Sequence, residues 1–311
     1  MCCGSNQVKK NGFYGNGKQR WLCYRCNKSF HWGVPANKRR KERIWFERWI
    51  IEGYSVRQLR QQSGYSQSKL YRIIDYWLSH PPKENDHVLN NCCYTIFDGT
   101  FLHRPNSLVA LMDANRHIVI AGSYGIRENS KSQIHNFLLS LKQKGLNLKS
   151  CAVDGNQQVI KVLRLLWPDI IVQRCLVHIQ RQGLMWCRQN PKRTDAKYLR
   201  KLFQQVACIN NAVERDKFIQ QLLEWENRFG YRITMSSEKG WVFSDIKRAR
   251  SMLLKALPDM FHYLEDHNIP KSTNSLEGYY SRLKSHYRKH RGLKIEKRDN
   301  YFRWFLFLKP K

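Results

Sequence analysis

Three acidic residues have types and spacing that could do chemistry. Asp98 and Asp154 each close a short apolar run and each precede glycine, in Tyr94-Thr-Ile-Phe-Asp98-Gly99 and Leu148-Lys-Ser-Cys-Ala-Val-Asp154-Gly155. Placed at the ends of neighbouring strands, two carboxylates can share divalent metal. Oxygen ligands and Mg²⁺ suit phosphodiester chemistry, where paired ions activate the nucleophile and stabilise the leaving oxygen. Taken singly, each Asp-Gly is also common turn chemistry. A third acid should come from a helix, and Glu277 in Ser272-Thr-Asn-Ser-Leu-Glu277-Gly278 is the candidate. Asn274-x-x-Glu277 is also the pattern of a capping box, opening a helix that carries Arg282, Lys284, Arg288 and Lys289.

A second constellation lies near the start. Cys23-Tyr-Arg-Cys26 has the spacing that lets two thiolates reach one tetrahedral Zn²⁺. Cys2 and Cys3 lie one hairpin away, but adjacent residues of an extended strand point to opposite faces. One of them is expected to ligate, its Cys-x-x-Cys mate falling upstream of Met1, and His31 is a further candidate ligand. Free or buried thiols are the plainer reading. The ten cysteines include two adjacent pairs and scattered singles, which suits reduced thiols and a metal site better than a disulfide framework.

Elements must position these residues. Residues 38–78 read as helical, with Ile44, Trp45, Trp49 and Ile50 at helical spacing and Gly53 as a C-terminal cap. Within them, Ser55–Ser63, the turn Gly64-Tyr65 and Ser66–Leu78 read as a helix-turn-helix, with Ser66 as N-cap. Val56, Leu59, Leu70, Ile73 and Trp77 supply its buried seam. Gln67, Lys69 and Arg72 face outward where a recognition helix meets base edges. The run Lys38-Arg39-Arg40-Lys41 adds positive charge beside it. An ordinary helical hairpin with a solvated face has the same spacing.

Residues 81–91 read as a linker. After them, strands are expected at 94–97, 107–112, 117–121, 148–153 and 170–172, with helices at 129–143 and 156–166. This alternation predicts an α/β fold, a mixed sheet flanked by helices. Residues 175–265 read as mainly helical. There Trp225 and Trp241 could stack on a base, although core positions are the expectation.

The 311 residues carry 55 Lys+Arg against 24 Asp+Glu, a net charge of +31. Residues 1–80 hold 16 basic and 4 acidic side chains, 81–170 hold 10 and 7, and 271–311 hold 12 and 3. The ends are strongly basic and the stretch with both aspartates is nearly balanced. Such charge predicts a polyanionic partner, nucleic acid first. No apolar run reaches the ~18 residues of a membrane span, and the N-terminus does not read as a signal peptide. The expectation is no membrane and no secretion.

The order Asp98-Gly-Thr, Asp154-Gly-Asn, Gln173-Arg-Cys175-Leu-Val-His178, Asn274-Ser-Leu-Glu277 resembles the DDE transposases of prokaryotic insertion sequences in the Mutator-like superfamily. The stretch before the linker is similar to the zinc-knuckle and helix-turn-helix head of that superfamily's zinc-binding variants. The resemblance implies an RNase H-like catalytic fold at 92–311, interrupted by a helical insertion at about 180–268. It follows a zinc-knuckle segment at 1–34 and a helix-turn-helix domain at 35–80. It implies that Asp98, Asp154 and Glu277 hold two Mg²⁺ or Mn²⁺ ions. Water would cut a strand at the element's end, and the freed 3′-hydroxyl would attack target DNA. Lys38, Arg39, Arg40, Lys41, Gln67, Lys69, Arg72, Arg282 and Lys284 are then the expected DNA contacts.

Cys3, before Gly4-Ser5, stands where the second cysteine of the family's first Cys-x-x-Cys would. That gives Cys3, Cys23 and Cys26 as zinc ligands, with Cys2 or His31 completing the set. Cys175 and His178 match the superfamily's Cys/Asp-x-x-His motif, whose role the sequence does not give. The partners implied are double-stranded DNA and further copies of the chain, in the nucleoid of a prokaryotic cytoplasm. Two rivals share these features: a DNA-binding regulator or inactive remnant, and a metal-dependent nuclease without strand transfer.

Overall fold

The computed structural model describes residues 3, 5–15, 17–31, 35–82, 89, 91–290 and 292–311, with residues 35–38 described in backbone only. Cys2, the Lys38 side chain and most of the expected linker therefore lie outside the described residues. The chain divides into two compact units, Met1–Ser79 and His80–Lys311.

The first unit opens with three antiparallel strands, β1 (Val8–Phe13), β2 (Gln19–Cys23) and β3 (Ser29–Phe30), in the order β1-β2-β3. Three helices follow, α1 (Pro35–Ile51), α2 (Val56–Ser63) and α3 (Gln67–Leu78). Each boundary has a local cause. Ser55 accepts the Gln58 amide at 3.3 Å while Gln58 Oε1 accepts the Ser55 amide at 2.9 Å, a complete capping box. Gly64, at φ +66°, ends α2 in a conformation that a side chain would strain. Ser66 then caps α3 by accepting from the Lys69 amide.

Leu59, Leu70 and Ile73 form the buried seam as expected, with Phe46, Ile50 and Leu78. Three positions differ. Ile44 faces solvent, and Val56 and Trp77 are only half-buried. Phe46, which the spacing did not single out, occupies the centre and stacks on Trp77 with ring centroids 6.2 Å apart.

The second unit is built on a five-stranded mixed sheet of β4 (Tyr94–His103), β5 (Asn106–Asp113), β6 (Ile118–Ile126), β7 (Ser150–Val153) and β8 (Ile171–Arg174). The spatial order is β6-β5-β4-β7-β8. The β4, β7 and β8 strands run parallel, and β5 runs antiparallel to its neighbours β4 and β6. Helices α4 (Lys131–Gln143) and α5 (Gln157–Leu166) cover one face. Their Ile134, Leu138, Val159 and Leu163 pack with Phe97, Val109, Leu111 and Val153 of the sheet. Helices α11 (Asn274–Arg288) and α12 (Ile295–Leu308) use the alternate positions of the strands. Tyr280 donates to the Asp98 carbonyl at 2.7 Å, and Phe302 lies 4.7 Å from Tyr124, centroid to centroid.

Between these halves comes the helical body that the sequence predicts. It comprises α6 (Leu176–Cys187), α7 (Thr194–Val206), α8 (Ala212–Trp225), α9 (Tyr231–Met235) and α10 (Trp241–Ala256). A π-turn at Glu226–Gly230 joins α8 to α9. Its own core includes Phe203, Phe218, Leu222, Trp225, Phe243, Ile246 and Leu253. Fully burying a phenylalanine stabilises by about 1.5–3 kcal/mol, and Tyr94 and Ile171 of the sheet pack against this core. It is also tied to the sheet: buried Gln173 donates to the Met260 carbonyl at 2.8 Å and accepts the Tyr263 amide at 3.3 Å.

Two expectations need correction here. β4 does not end at Asp98 but runs on to His103, paired with β5 along its length. Trp225 is core, its indole donating to the Asp195 carbonyl at 3.0 Å, but Trp241 is 81% exposed at the start of α10. All described cysteines are free thiols. No helix among the described residues is long and apolar enough to cross a membrane.

Candidate functional site

Strand register brings the two aspartates together. Phe97 of β4 pairs with Val153 of β7 in a parallel ladder. Asp98 and Asp154 are the next residues along these neighbouring strands. Asp98 lies mid-strand and is buried, with Oδ1 accepting the Gly99 amide at 2.8 Å. It is no turn residue, which removes that reading of its Asp-Gly pair. Asp154 is half-buried after β7, and its Oδ1 accepts the Asn156 amide at 2.8 Å. One of its oxygens thus serves the turn into α5. Asn156 fixes that turn further, accepting the Gln158 amide and donating to the Glu128 carbonyl at 2.9 Å.

Glu277 arrives on the first turn of α11. The capping-box alternative fails. The N-cap is Thr273, not Asn274, and no side chain caps the helix. Glu277 Oε1 is shut off from solvent without a hydrogen bond, with His178 Nε2 3.5 Å away. Its Oε2 stands 3.5 Å from Arg181 Nη1. The Tyr280 bond to β4 anchors the same helix one turn later.

The electrostatics register a concentration of negative charge. Burial, then the Asp154 charge, pushes the Asp98 carboxyl up to about 7, with Glu277 adding in the same direction and the Gly99 amide and His178 opposing. His178 is pushed up to about 9, first by its hydrogen bond with Cys175, against burial, and then by the charges of Cys175, Asp98 and Glu277. Burial raises the Cys175 thiol, but bonds from His178 and Thr273 outweigh it and the net displacement is downward. A buried carboxyl crowded by two further acids fits a cation in the group. The three acids do not bring their oxygens within 4.8 Å of one another; among the described residues only three cysteines form so tight a set.

Residues that no short motif signals complete the surroundings. Arg174 at the end of β8 is buried, and its guanidinium lies against Gly155, where a Cβ would come within 2.0 Å of Nη2. Gly155 also has φ +112°, so this turn requires glycine on both counts. The Asp154 charge partly offsets the burial that lowers Arg174. Glu128 sits beside Gly99, where a Cβ would meet its Oε1 at 2.5 Å. Burial, with the Asp154 charge, raises its carboxyl. A long-range contact of this kind leaves no local pattern in the chain.

In the first unit, Cys3, Cys23 and Cys26 place their sulfurs within 4.8 Å of one another, and Cys3 Sγ lies 3.5 Å from Cys23 Sγ. Cys23 is lowered to about 7, chiefly by the Cys26 amide. The Lys28 amide favours the Cys26 thiolate, but the Cys3 and Cys23 sulfurs and burial outweigh it and raise that thiol. Three thiols at this spacing fit the donor set and geometry of Zn²⁺. His31 is not among them. Its ring lies edge-on to Tyr14 at 5.8 Å, and Cys2 is outside the described residues.

The expected DNA contacts divide. Arg40, Lys41, Gln67, Arg72 and Arg282 are exposed, and Lys284 is half-buried. Arg39 is engaged within the unit, paired with Glu42 at 2.9 Å and 3.6 Å over the Tyr76 ring. Lys69 lies 3.2 Å over the Tyr65 ring.

The model of the family described as "Transposase, Mutator family" matches residues 109–293. That span is more than half of the chain and takes in Asp154, Cys175, His178 and Glu277; Asp98 precedes it. The chain belongs to the Mutator family of transposases, enzymes that break and join DNA. No curated protein matches the chain.

Proposed function

We propose that this transposase binds the terminal repeats of its own insertion sequence, cleaves DNA there and joins the freed 3′ end to target DNA, using Asp98, Asp154 and Glu277 as a DDE set. The observation that carries the reading is the register that sets Asp98 beside Asp154, with the Glu277 charge acting on the same buried carboxyl. The sheet, in which β6, β4, β7 and β8 run in one direction and β5, between β6 and β4, runs opposite, supports an RNase H-like domain. Divalent cations at the three acids would supply a water activated for attack and stabilisation of the leaving oxygen.

The residues of the chain do the rest. Asp98 is held rigidly in the sheet by the β5 ladder. Asp154 is fixed by its own turn, and Glu277 is presented from α11. Helices α2 and α3 support a helix-turn-helix reading, with Gln67 and Arg72 reaching base edges and Arg40 and Lys41 reaching phosphates. The thiol trio supports a zinc site that stiffens the N-terminal strands. Joining two element ends requires further copies of the chain on DNA.

The test is incubation of the protein with labelled terminal-repeat DNA, target DNA and Mg²⁺. Joined product is expected; cutting alone would make the chain a nuclease, and binding alone a regulator. Asp98→Ala, Asp154→Ala and Glu277→Ala should each abolish cutting, and cutting that survives all three would refute the site.

A further inference from the structure

The Cys175-Leu-Val-His178 motif has no part in the chemistry described so far, yet it reaches the third acid. Cys175 follows β8 directly, is the N-cap of α6 and is fully buried. Its amide donates to the carbonyl of Val153, the residue before Asp154, at 2.8 Å. Its Sγ accepts the Thr273 amide at 3.3 Å and lies 3.5 Å from Thr273 Oγ1. Thr273 is the N-cap of α11, but its hydroxyl makes no cap bond. That oxygen stands instead 3.3 Å from His178 Nδ1. Across the ring, His178 Nε2 lies 3.5 Å from Glu277 Oε1.

The hydrogens fix the sense of this chain of contacts. Thr273 has one hydroxyl hydrogen. Given to Nδ1, it leaves the ring's hydrogen on Nε2, facing Glu277. Given to Cys175, it leaves Nδ1 as donor, and the ring then faces a carboxylate favourably only if Nε2 also carries a hydrogen. A bare Nε2 would set its lone pair against the carboxylate. With the Thr273 hydrogen on Nδ1, or with both ring nitrogens protonated, Nε2–H points at Glu277, at a separation typical of site contacts that tighten when substrate binds.

We propose that Cys175, Thr273 and His178 are a positioning device for Glu277, which is the third acid under the function proposed above. Cys175 and Thr273 latch the first turns of α6 and α11 together, and the latch aims the His178 ring. His178 holds the Glu277 carboxylate toward Asp98 and Asp154. The motif thus acts through Glu277. Outer-shell partners of metal ligands commonly govern metal affinity by about 10–100-fold.

The test is Mn²⁺ binding to the full chain, followed by electron paramagnetic resonance, with Mn²⁺ alone as probe. It is a hard ion for which thiolates compete poorly. His178→Ala should weaken binding by about 10–100-fold. His178→Gln, which restores an N–H donor, should regain most of that. His178→Leu fills the space without a donor and should not, and this Gln–Leu pair decides the matter if His178→Ala melts early. The decisive readout is a double-mutant cycle. In a Glu277→Gln background, His178→Ala should cost less than about twofold more, because the partner it orients has already been altered. Wild-type affinity in both His178→Ala and His178→Leu, or an undiminished loss in the Glu277→Gln background, overturns the proposal. If Glu277→Gln itself leaves Mn²⁺ affinity unchanged, the proposed function falls with it; if it lowers affinity and the His178 variants do not, the positioning role alone falls.

Discussion

The Asp98 carboxyl sits in a buried corner with a like charge beside it, and the proton it retains there has a measurable consequence. Its folded value of about 7 lies above the 3.8 of a free aspartate carboxyl. Between those two pH values the unfolded chain releases a proton that the folded chain keeps. This contribution to stability is therefore fully present below about pH 4, declines as pH rises to about 7 and is then lost. In the presence of a chelator, wild type should lose melting temperature over that interval, and Asp98→Asn should flatten that part of the profile. An equal slope in both proteins would show that Asp98 is not the group responsible. Gly155 gives a second test. An alanine there must accept φ +112° and a Cβ 2.0 Å from the Arg174 guanidinium, so Gly155→Ala should cost about 2–4 kcal/mol in urea unfolding. The aspartates were legible because each closes an apolar run. Arg174, Glu128 and Thr273 were not, because their meaning depends on neighbours remote in sequence.

Local periodicity and capping chemistry go far at the scale of elements. Ser55, Gly64 and Ser66 mark the ends of α2 and α3 in the sequence itself, and every expected strand of the sheet is present. The periodicity errs where two tendencies compete. Asp98-Gly99 carries a turn signal, but the alternating residues that follow pair with β5 and extend β4 through it. The buried aromatics of α12, Tyr301, Phe302, Trp304 and Phe305, are interspersed with charges in a stretch that suggested no element. Two predictions belong at this scale. Arg72→Ala should weaken binding to terminal-repeat DNA by roughly 5- to 100-fold, the worth of one good base contact, measured by fluorescence anisotropy. Arg39→Ala should change that affinity less than Arg40→Ala does, because Arg39 already serves Glu42 and Tyr76. For the thiol cluster, metal analysis should find zinc in the purified wild type and lose it with Cys23→Ser; no zinc in the wild type ends that assignment.

For the molecule as a whole, net charge of +31 sets how strongly DNA is held but not what is done to it. Affinity should fall with salt at a slope of roughly 0.9 log units per log salt for each phosphate contacted, and Arg40→Ala or Lys41→Ala should each reduce that slope by about one contact. A slope unchanged in both variants would place the phosphates elsewhere. The helical body from α6 to α10 separates Glu277 from the aspartates in the chain and has a consequence for synthesis. Domains fold in the order in which they leave the ribosome. The basic N-terminal unit and both aspartates are made well before Glu277, which must wait for the six helices α5 to α10. Under the function proposed above, a nascent copy would grip DNA near its own gene while its acid set is still incomplete, and translation itself would delay cutting until the third carboxylate has been made.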